Sequence, residues 1–207
     1  PIPELTVAVA GSALSRQLSA KARARLTPSL LQIYGSTEVG LVARAHAGLA
    51  DSTPGATGLV QPDVDLQIVD AAHNVLPHGE VGAVRCRSLD CISGYLDTPQ
   101  YENDETFRDG WFYPGDAGAL TSGGVLSIVG RTTELLNLGG VKLPPNLIED
   151  TVSSCPGVTD LAAFALEQGG SVATVWVAVV KGAGYEEALL ADAFQQAFPK
   201  LPALKFA

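Results

Sequence analysis

Tyr34-Gly35-Ser36-Thr37-Glu38 follows a short apolar run, and open α/β sheets place ligand sites at the ends of such strands. Ser36 and Thr37 offer hydroxyls to phosphate oxygens, Glu38 is a hard oxygen ligand for Mg²⁺, and Tyr34 can stack on a base. Gly35 lets the backbone turn tightly or a ligand approach it closely. An ordinary turn capped by Ser or Thr explains the same residues, and their types alone do not choose between the two.

A second segment is Asp109-Gly110-Trp111-Phe112-Tyr113-Pro114-Gly115-Asp116. A carboxylate after Pro-Gly, flanked by aromatic rings, is a plausible acceptor for two ribose hydroxyls. An Asx-type turn is the plain alternative, because Pro-Gly-Asp suits one. The third is Gly130-Arg131, a lone cation followed by Asn137-Leu138-Gly139-Gly140, where the plain alternative is a surface hairpin.

These residues need elements to position them. Leu5 to Ala10 reads as a buried strand, Ser15 as the cap of a helix over Gln17 to Leu26, and Leu30 to Tyr34 as a second strand ending in the turn residues 35–37. Strand, helix and strand make a βαβ unit with a parallel pair. From Thr53 the chain changes character, with Gly and Pro recurring between short alternating runs at 64–68, 81–86 and 126–129. That pattern predicts a small antiparallel sheet or open barrel. Beyond Arg131 the reading is a hairpin over 135–143, then a helix from Asn146 to Ser154 opened by Pro144-Pro145. Strands at 161–166 and 172–180 follow, then an amphipathic helix from Tyr185 to Phe198 and the start of a further strand at 204–207. The expected fold class is mixed α/β. Residues 1–131 would end a large α/β domain, with a βαβ piece at 1–50 and a barrel-like antiparallel sheet at 53–130. Residues 132–207 would form a small α+β domain.

Composition narrows the function. Of 207 residues 46% are hydrophobic and 17% charged, enough apolar material for a core. Lys and Arg number 13 against 22 Asp and Glu, a net charge of −9, so the chain lacks the basic footprint of a nucleic-acid binder. Its longest apolar run, Val172 to Val180, has strand length and is interrupted by Thr174, too short to span a membrane. Three cysteines (Cys86, Cys91, Cys155) without CxxC spacing suggest reduced thiols in a cytoplasmic protein. His46, His73 and His78 lie far apart among loop residues and read as surface histidines. With no Met and a Pro1-Ile2-Pro3 start, the chain reads as a piece of a longer protein.

In their order and spacing, YGSTE, GWFYPGD and GRTTELLNLGG resemble the adenylate-forming superfamily of acyl-CoA synthetases, nonribosomal-peptide adenylation domains and luciferases. Ala10-Gly11-Ser12-Ala13-Leu14-Ser15 looks like that family's adenine-pocket loop. Thr57-Gly58-Leu59-Val60, Gly79-Glu80-Val81-Gly82 and Ile92-Ser93-Gly94-Tyr95-Leu96 resemble its G-x-x-G, GExGE and RGYL stretches.

The resemblance implies roles. Tyr34 would stack on adenine beside Gly11 and Ser12, with Gly35 and Ser36 completing the ATP/AMP loop. Thr37 and Glu38 would be catalytic, Thr37 on phosphate and Glu38 holding Mg²⁺. Asp116 would hold the ribose hydroxyls and Arg131 would assist at ribose or phosphate. The chain after Gly130-Arg131 would be a hinge, and Gly139-Gly140 would lie on the hairpin that approaches pantetheine. The implied enzyme is an ATP-dependent carboxylic acid:CoA ligase, forming an acyl-adenylate and then a thioester. Its partners would be a small carboxylic acid and CoA, or a carrier protein's phosphopantetheine in the alternative of a synthase adenylation domain. A degenerate adenylate-binding scaffold is the third reading. It is motivated by departures: Thr133 stands where the family hinge is usually Asp or Lys, and Leu147 where it has a Glu, with Glu149 retained. Tyr113-Pro114 replaces a commoner basic-Thr pair. The family's phosphate loop would precede this stretch and its C-terminal lysine would follow it. Lys200 and Lys205 lack the Gly-Lys context, so the 207 residues alone are expected to be inactive.

Overall fold

The computed structural model describes residues 1–11, 14, 16–53, 55–138, 141–166 and 174–207. Ser12, Gly139 and Gly140, three of the site residues named above, lie outside them. The chain divides into two compact units, Pro1–Ile128 and Val129–Ala207.

In the first unit, β1 (Thr6–Val9), α1 (Arg16–Arg25) and β2 (Ser29–Ser36) form the expected βαβ crossover. β1 and β2 run parallel, with Val9 opposite Gln32. Thr27 is buried between them and ties the crossover down: its hydroxyl donates to the Leu5 carbonyl and accepts from Ser29 N at 3.0 Å. β2 does not end at Tyr34. It continues through Ser36 and folds back as β3 (Gly40–His46), so residues 35 and 36 are strand and the turn is Thr37–Val39. The reversal escaped sequence reading because the turn contains no Pro, Asn or Asp.

α2 (Ala47–Ser52) leads to β4 (Gly58–Val60), β5 (Val64–Val69) and β6 (Gly82–Ser88). α3 (Gln100–Thr106), β7 (Phe107–Arg108), β8 (Trp111–Phe112), β9 (Asp116–Leu120) and β10 (Val125–Arg131) follow. The antiparallel strands expected over 53–130 are present. Among the described residues they join β1–β3 in one ten-stranded sheet, ordered β1-β2-β3-β4-β10-β9-β6-β8-β7 with β5 on β6. Strand alternation explains the core. In β6 it buries Val84 and Cys86 and turns Arg85 and Arg87 outward. Val84 and Cys86 pack with Val39, Val42, Val64, Ile68, Phe112 and Leu126, each full burial of a large apolar side chain stabilising by roughly 1.5–3 kcal/mol. Asp109 and Gly110, at φ of 52° and 76°, make the tight turn between β7 and β8, the left-handed pair that a two-residue hairpin favours.

The second unit contains the hairpin of β11 (Leu136–Leu138) and β12 (Val141–Leu143), then α4 (Pro145–Val152) with proline in its first turn. β13 (Val158–Leu166) and β14 (Thr174–Lys181) pair antiparallel. α5 (Glu187–Ala197) precedes β15 (Lys205–Phe206), which joins β14 in parallel. Helical spacing puts Ile148 and Val152 of α4, and Leu190 and Phe194 of α5, on faces buried with Val175 and Val177 of β14. No helix among the described residues is long and apolar enough to cross a membrane.

Candidate functional site

The β2–β3 hairpin carries Thr37 and Glu38 at its tip. Its neck is narrow: a Cβ on Gly35 would lie 2.2 Å from the Gly40 carbonyl oxygen, so only glycine permits the register shift after Tyr34. The sheet therefore fixes the base of the turn, and the turn projects a carboxylate.

That carboxylate is held on both oxygens. Tyr95 donates its hydroxyl to Glu38 Oε1 at 2.8 Å and Thr37 donates to Oε2 at 3.3 Å. Ile92 N donates to the Glu38 carbonyl at 2.9 Å, tying the turn to the 91–95 loop. The Ser36 side chain, then Tyr95, hold the Glu38 carboxyl below its ordinary range against a smaller opposing effect of burial. Ser36 acts without a regular hydrogen bond: its Oγ is buried and lacks a partner of good geometry. An ionised carboxylate with two neighbouring hydroxyls, one of them buried and unpaired, is a hard-oxygen donor set that fits Mg²⁺ shared with phosphates. Cys91 lies within reach of the Glu38 charge; burial first, and that charge with it, raise its thiol, partly offset by Ser88.

The second segment meets the first. Tyr34 donates its hydroxyl to Asp116 Oδ2 at 2.7 Å, linking residues 82 apart in sequence. Asp116 opens β9 rather than closing an isolated turn. The flanking aromatics divide their tasks. Phe112 is core, and Trp111 lies under both Arg85 and Arg87, 4.7 and 4.4 Å from its ring centre. Tyr113 accepts from Arg85 Nη1 at 3.1 Å and shares a hydrogen bond with His73, which also contacts Arg108. Tyr113 is thus part of a polar network beside the site. All three histidines are exposed.

Gly11 lies two residues past Val9, and Val9 pairs with Gln32, two before Tyr34. Parallel register therefore sets Gly11 and Tyr34 at the same end of the β1–β2 pair. Arg131 closes β10 and belongs to the second unit, and Thr133 follows in an exposed turn in which Glu134 N donates to the Arg131 carbonyl. Glu149 Oε1 accepts from Ala163 N at 2.9 Å and fastens α4 to β13, whereas Leu147 is 44% exposed on the same helix. Sequence reading missed Tyr95 and Asn103 as neighbours of the site. The Gly94-Tyr95 pair was visible as a motif, but nothing local shows that it reaches Glu38. Asn103 sits in the polar segment 100–106, which has no apolar period to betray a helix.

Residues 2–96, which include the hairpin and the Tyr95 loop, match a family described as AMP-binding enzyme. A long-chain-fatty-acid–CoA ligase of Escherichia coli is 31% identical over 178 residues, 86% of this chain and 32% of the relative. A 4-coumarate–CoA ligase 1 of Glycine max is 30% identical over 181 residues, 83% of this chain and 61% of that protein. ATP-bound MatB from Rhodopseudomonas palustris aligns with a TM-score of 0.76 at 28% identity, over 93% of this chain and 38% of that structure. The chain thus resembles adenylate-forming enzymes and CoA ligases in sequence and shares the mixed α/β fold, while spanning about a third of the first relative's length.

Proposed function

We propose that the protein carrying this stretch is an ATP-dependent carboxylic acid:CoA ligase of the AMP-binding family. It would form an acyl-adenylate, release pyrophosphate, and pass the acyl group to a thiol. The observation that carries the reading is the Tyr34–Asp116 hydrogen bond, which unites two motif segments beside the Glu38 turn in a chain related to CoA ligases.

In this reading Tyr34 presents its ring to adenine beside Gly11 and Ser12 while its hydroxyl orients Asp116 for the ribose hydroxyls. Thr37 donates to a phosphate oxygen, and Ser36 and Glu38 supply oxygens to Mg²⁺. The metal ion, when bound, neutralises charge that gathers on the α-phosphate. The site's own contribution is preorganisation, since the Tyr95 hydroxyl holds Glu38 and leaves the Thr37 O–H free to turn from Glu38 to the phosphate. Residues 1–131 would close a large AMP-binding domain and residues 132–207 would belong to a small mobile one. Arg131 would assist at the ribose or phosphate, at the head of the hinge, with Gly139 and Gly140 approaching pantetheine. Free cysteines at 86, 91 and 155 accord with a cytoplasmic setting.

The test is mass spectrometry of the full-length gene product incubated with Mg-ATP and a pool of fatty, aryl and amino acids, with and without CoA. An acyl-CoA formed only with CoA is the expected result and names the acid. An acyl-adenylate that never reaches CoA would redirect the acceptor to a carrier protein. Neither product from a folded protein would overturn the ligase. Glu38→Ala should depress pyrophosphate release strongly while leaving the fold intact, and near-normal turnover would remove Glu38 from the mechanism.

A further inference from the structure

The 91–95 loop grips the Glu38 turn at two points, the Ile92 N–H on its backbone and the Tyr95 hydroxyl on its side chain. Tyr95 is itself fixed on three sides. Asn103 Oδ1 accepts from Tyr95 N at 2.8 Å, and Asn103 Nδ2 donates to the Tyr95 carbonyl at 3.2 Å, a side-chain clamp across one residue's backbone. The Tyr95 ring stands edge-on to Phe107 at 5.2 Å, and Phe107 in turn packs 5.3 Å from Phe112, a member of the apolar core. A continuous path of contacts therefore runs from the core to Glu38 Oε1. At its end is one O–H donor, which a phenol can give to a single acceptor at a time.

We infer that Tyr95, held by Asn103, is a positioning residue that fixes the rotamer of Glu38 for its metal ion. The inference rests on the proposal that Glu38 is the Mg²⁺ ligand, and it adds a residue pair outside the YGSTE segment to that site. A glutamate has three side-chain torsions, so a free Glu38 would have to be ordered by the metal itself. With Tyr95 on Oε1, both oxygens keep a lone pair for coordination, and that end of the carboxylate stays fixed when Thr37 turns its O–H from Oε2 to a phosphate oxygen. Outer partners that orient a metal-bound carboxylate in this manner are worth about 10–100-fold in metal affinity or activity. Tyr95 is 39% exposed, so removing its hydroxyl leaves no cavity, and the packing of the ring on Phe107 survives in phenylalanine.

The experiment uses the full-length protein with Mn²⁺ as a paramagnetic stand-in for Mg²⁺. Bound metal is read by electron paramagnetic resonance in the presence of a saturating non-hydrolysable ATP analogue. Tyr95→Phe should raise the Mn²⁺ concentration for half-saturation on the order of tenfold. The analogue's affinity at saturating metal and the melting temperature should stay at wild-type values. Asn103→Ala should shift the metal titration in the same direction by a smaller factor. Leu96→Ser, at a neighbouring side chain 92% exposed, should leave it unchanged. Glu38→Gln separates the two levels of the argument. If Glu38→Gln loses Mn²⁺ but Tyr95→Phe does not, Glu38 remains the ligand and the positioning role of Tyr95 is overturned. If Glu38→Gln binds Mn²⁺ as tightly as wild type, the metal assignment itself fails. Equal shifts in Tyr95→Phe and Leu96→Ser, or a lowered melting temperature with unaltered metal affinity, would make Tyr95 a structural residue only.

Discussion

In residues 1–128 the side chains that flank the candidate site also build the core, whereas in residues 129–207 the core is apolar and its polar ties lie at the edge. Tyr34 and Cys91 pack against the first core while touching, respectively, Asp116 and the surroundings of Glu38. Phe107 belongs to the same packing and supports Tyr95. The second core of Ile148, Val152, Val175, Val177, Leu190 and Phe194 is fastened on its rim by Glu149 to Ala163 N. Such an arrangement teaches how to read substitutions. Near the hairpin, stability and chemistry move together and need separate readouts. In the second core a truncation should report on packing alone.

The largest effect expected is from Phe194→Ala, which removes a fully buried ring from the second core and should cost about 3–5 kcal/mol. Hydrogen exchange should then show protection lost in β13–β15 and kept in β2 and β3. Loss in both would break the distinction between the two cores. Asp116→Ala comes next. It removes the acceptor of the Tyr34 hydroxyl and should weaken ATP binding by ~1.5–3 kcal/mol, measured by calorimetry on the full-length protein. Tyr34→Phe sharpens the point, because it keeps the ring and deletes only the hydrogen bond. A denaturant midpoint should report a loss of about 0.5–1.5 kcal/mol, with nucleotide affinity falling less than in Asp116→Ala. A greater loss of affinity in Tyr34→Phe would mean that the hydroxyl, not the ring, meets the nucleotide.

The smallest effect concerns thiols. Burial, with added effects from Cys91 and Asp116, pushes Cys86 up to about 12, so at mildly alkaline pH Cys91 and Cys155 should alkylate first, as read by peptide mass spectrometry. Cys86 keeps its proton in the folded state but would lose it above an ordinary value near 9.0 when unfolded, so its contribution is complete below that pH and declines as pH rises toward 12. Early labelling of Cys86 would show that the first core opens locally.

Much of the architecture was legible in the residues. The residue pattern located β1, α1, α4, α5, β13 and β14 to within a few positions. Of these, α4, α5 and β14 present one apolar face at a fixed interval, whereas α1 is polar and buries none of its described side chains. Turn chemistry announced the hairpin that ends at Leu143, whereas the Asp109-Gly110 reversal between β7 and β8 emerged only in the structure. The β2–β3 reversal was not legible, since its turn lies within Thr37–Val39 and depends on a close backbone approach at Gly35. α3 was equally hidden, as seven mostly polar residues carry no helical period.

The sequence by itself determined which chemical groups are available and their order: two hydroxyls and a carboxylate after one strand, and a second carboxylate after Pro-Gly some eighty residues on. Local rules reach only a few positions along the chain, so they could say that Glu38 and Asp116 are oxygen donors but not what holds either one. Tertiary structure decided that Asp116 receives the Tyr34 hydroxyl and that Glu38 is gripped by Tyr95, 57 residues away. Sheet order alone does not give those contacts, since β10, β4 and β3 stand between β9 and β2, and Tyr95 lies in a loop outside the strands. Pairing between strands distant in sequence is fixed by burial and backbone hydrogen bonding over the whole unit, which no short window of residues contains.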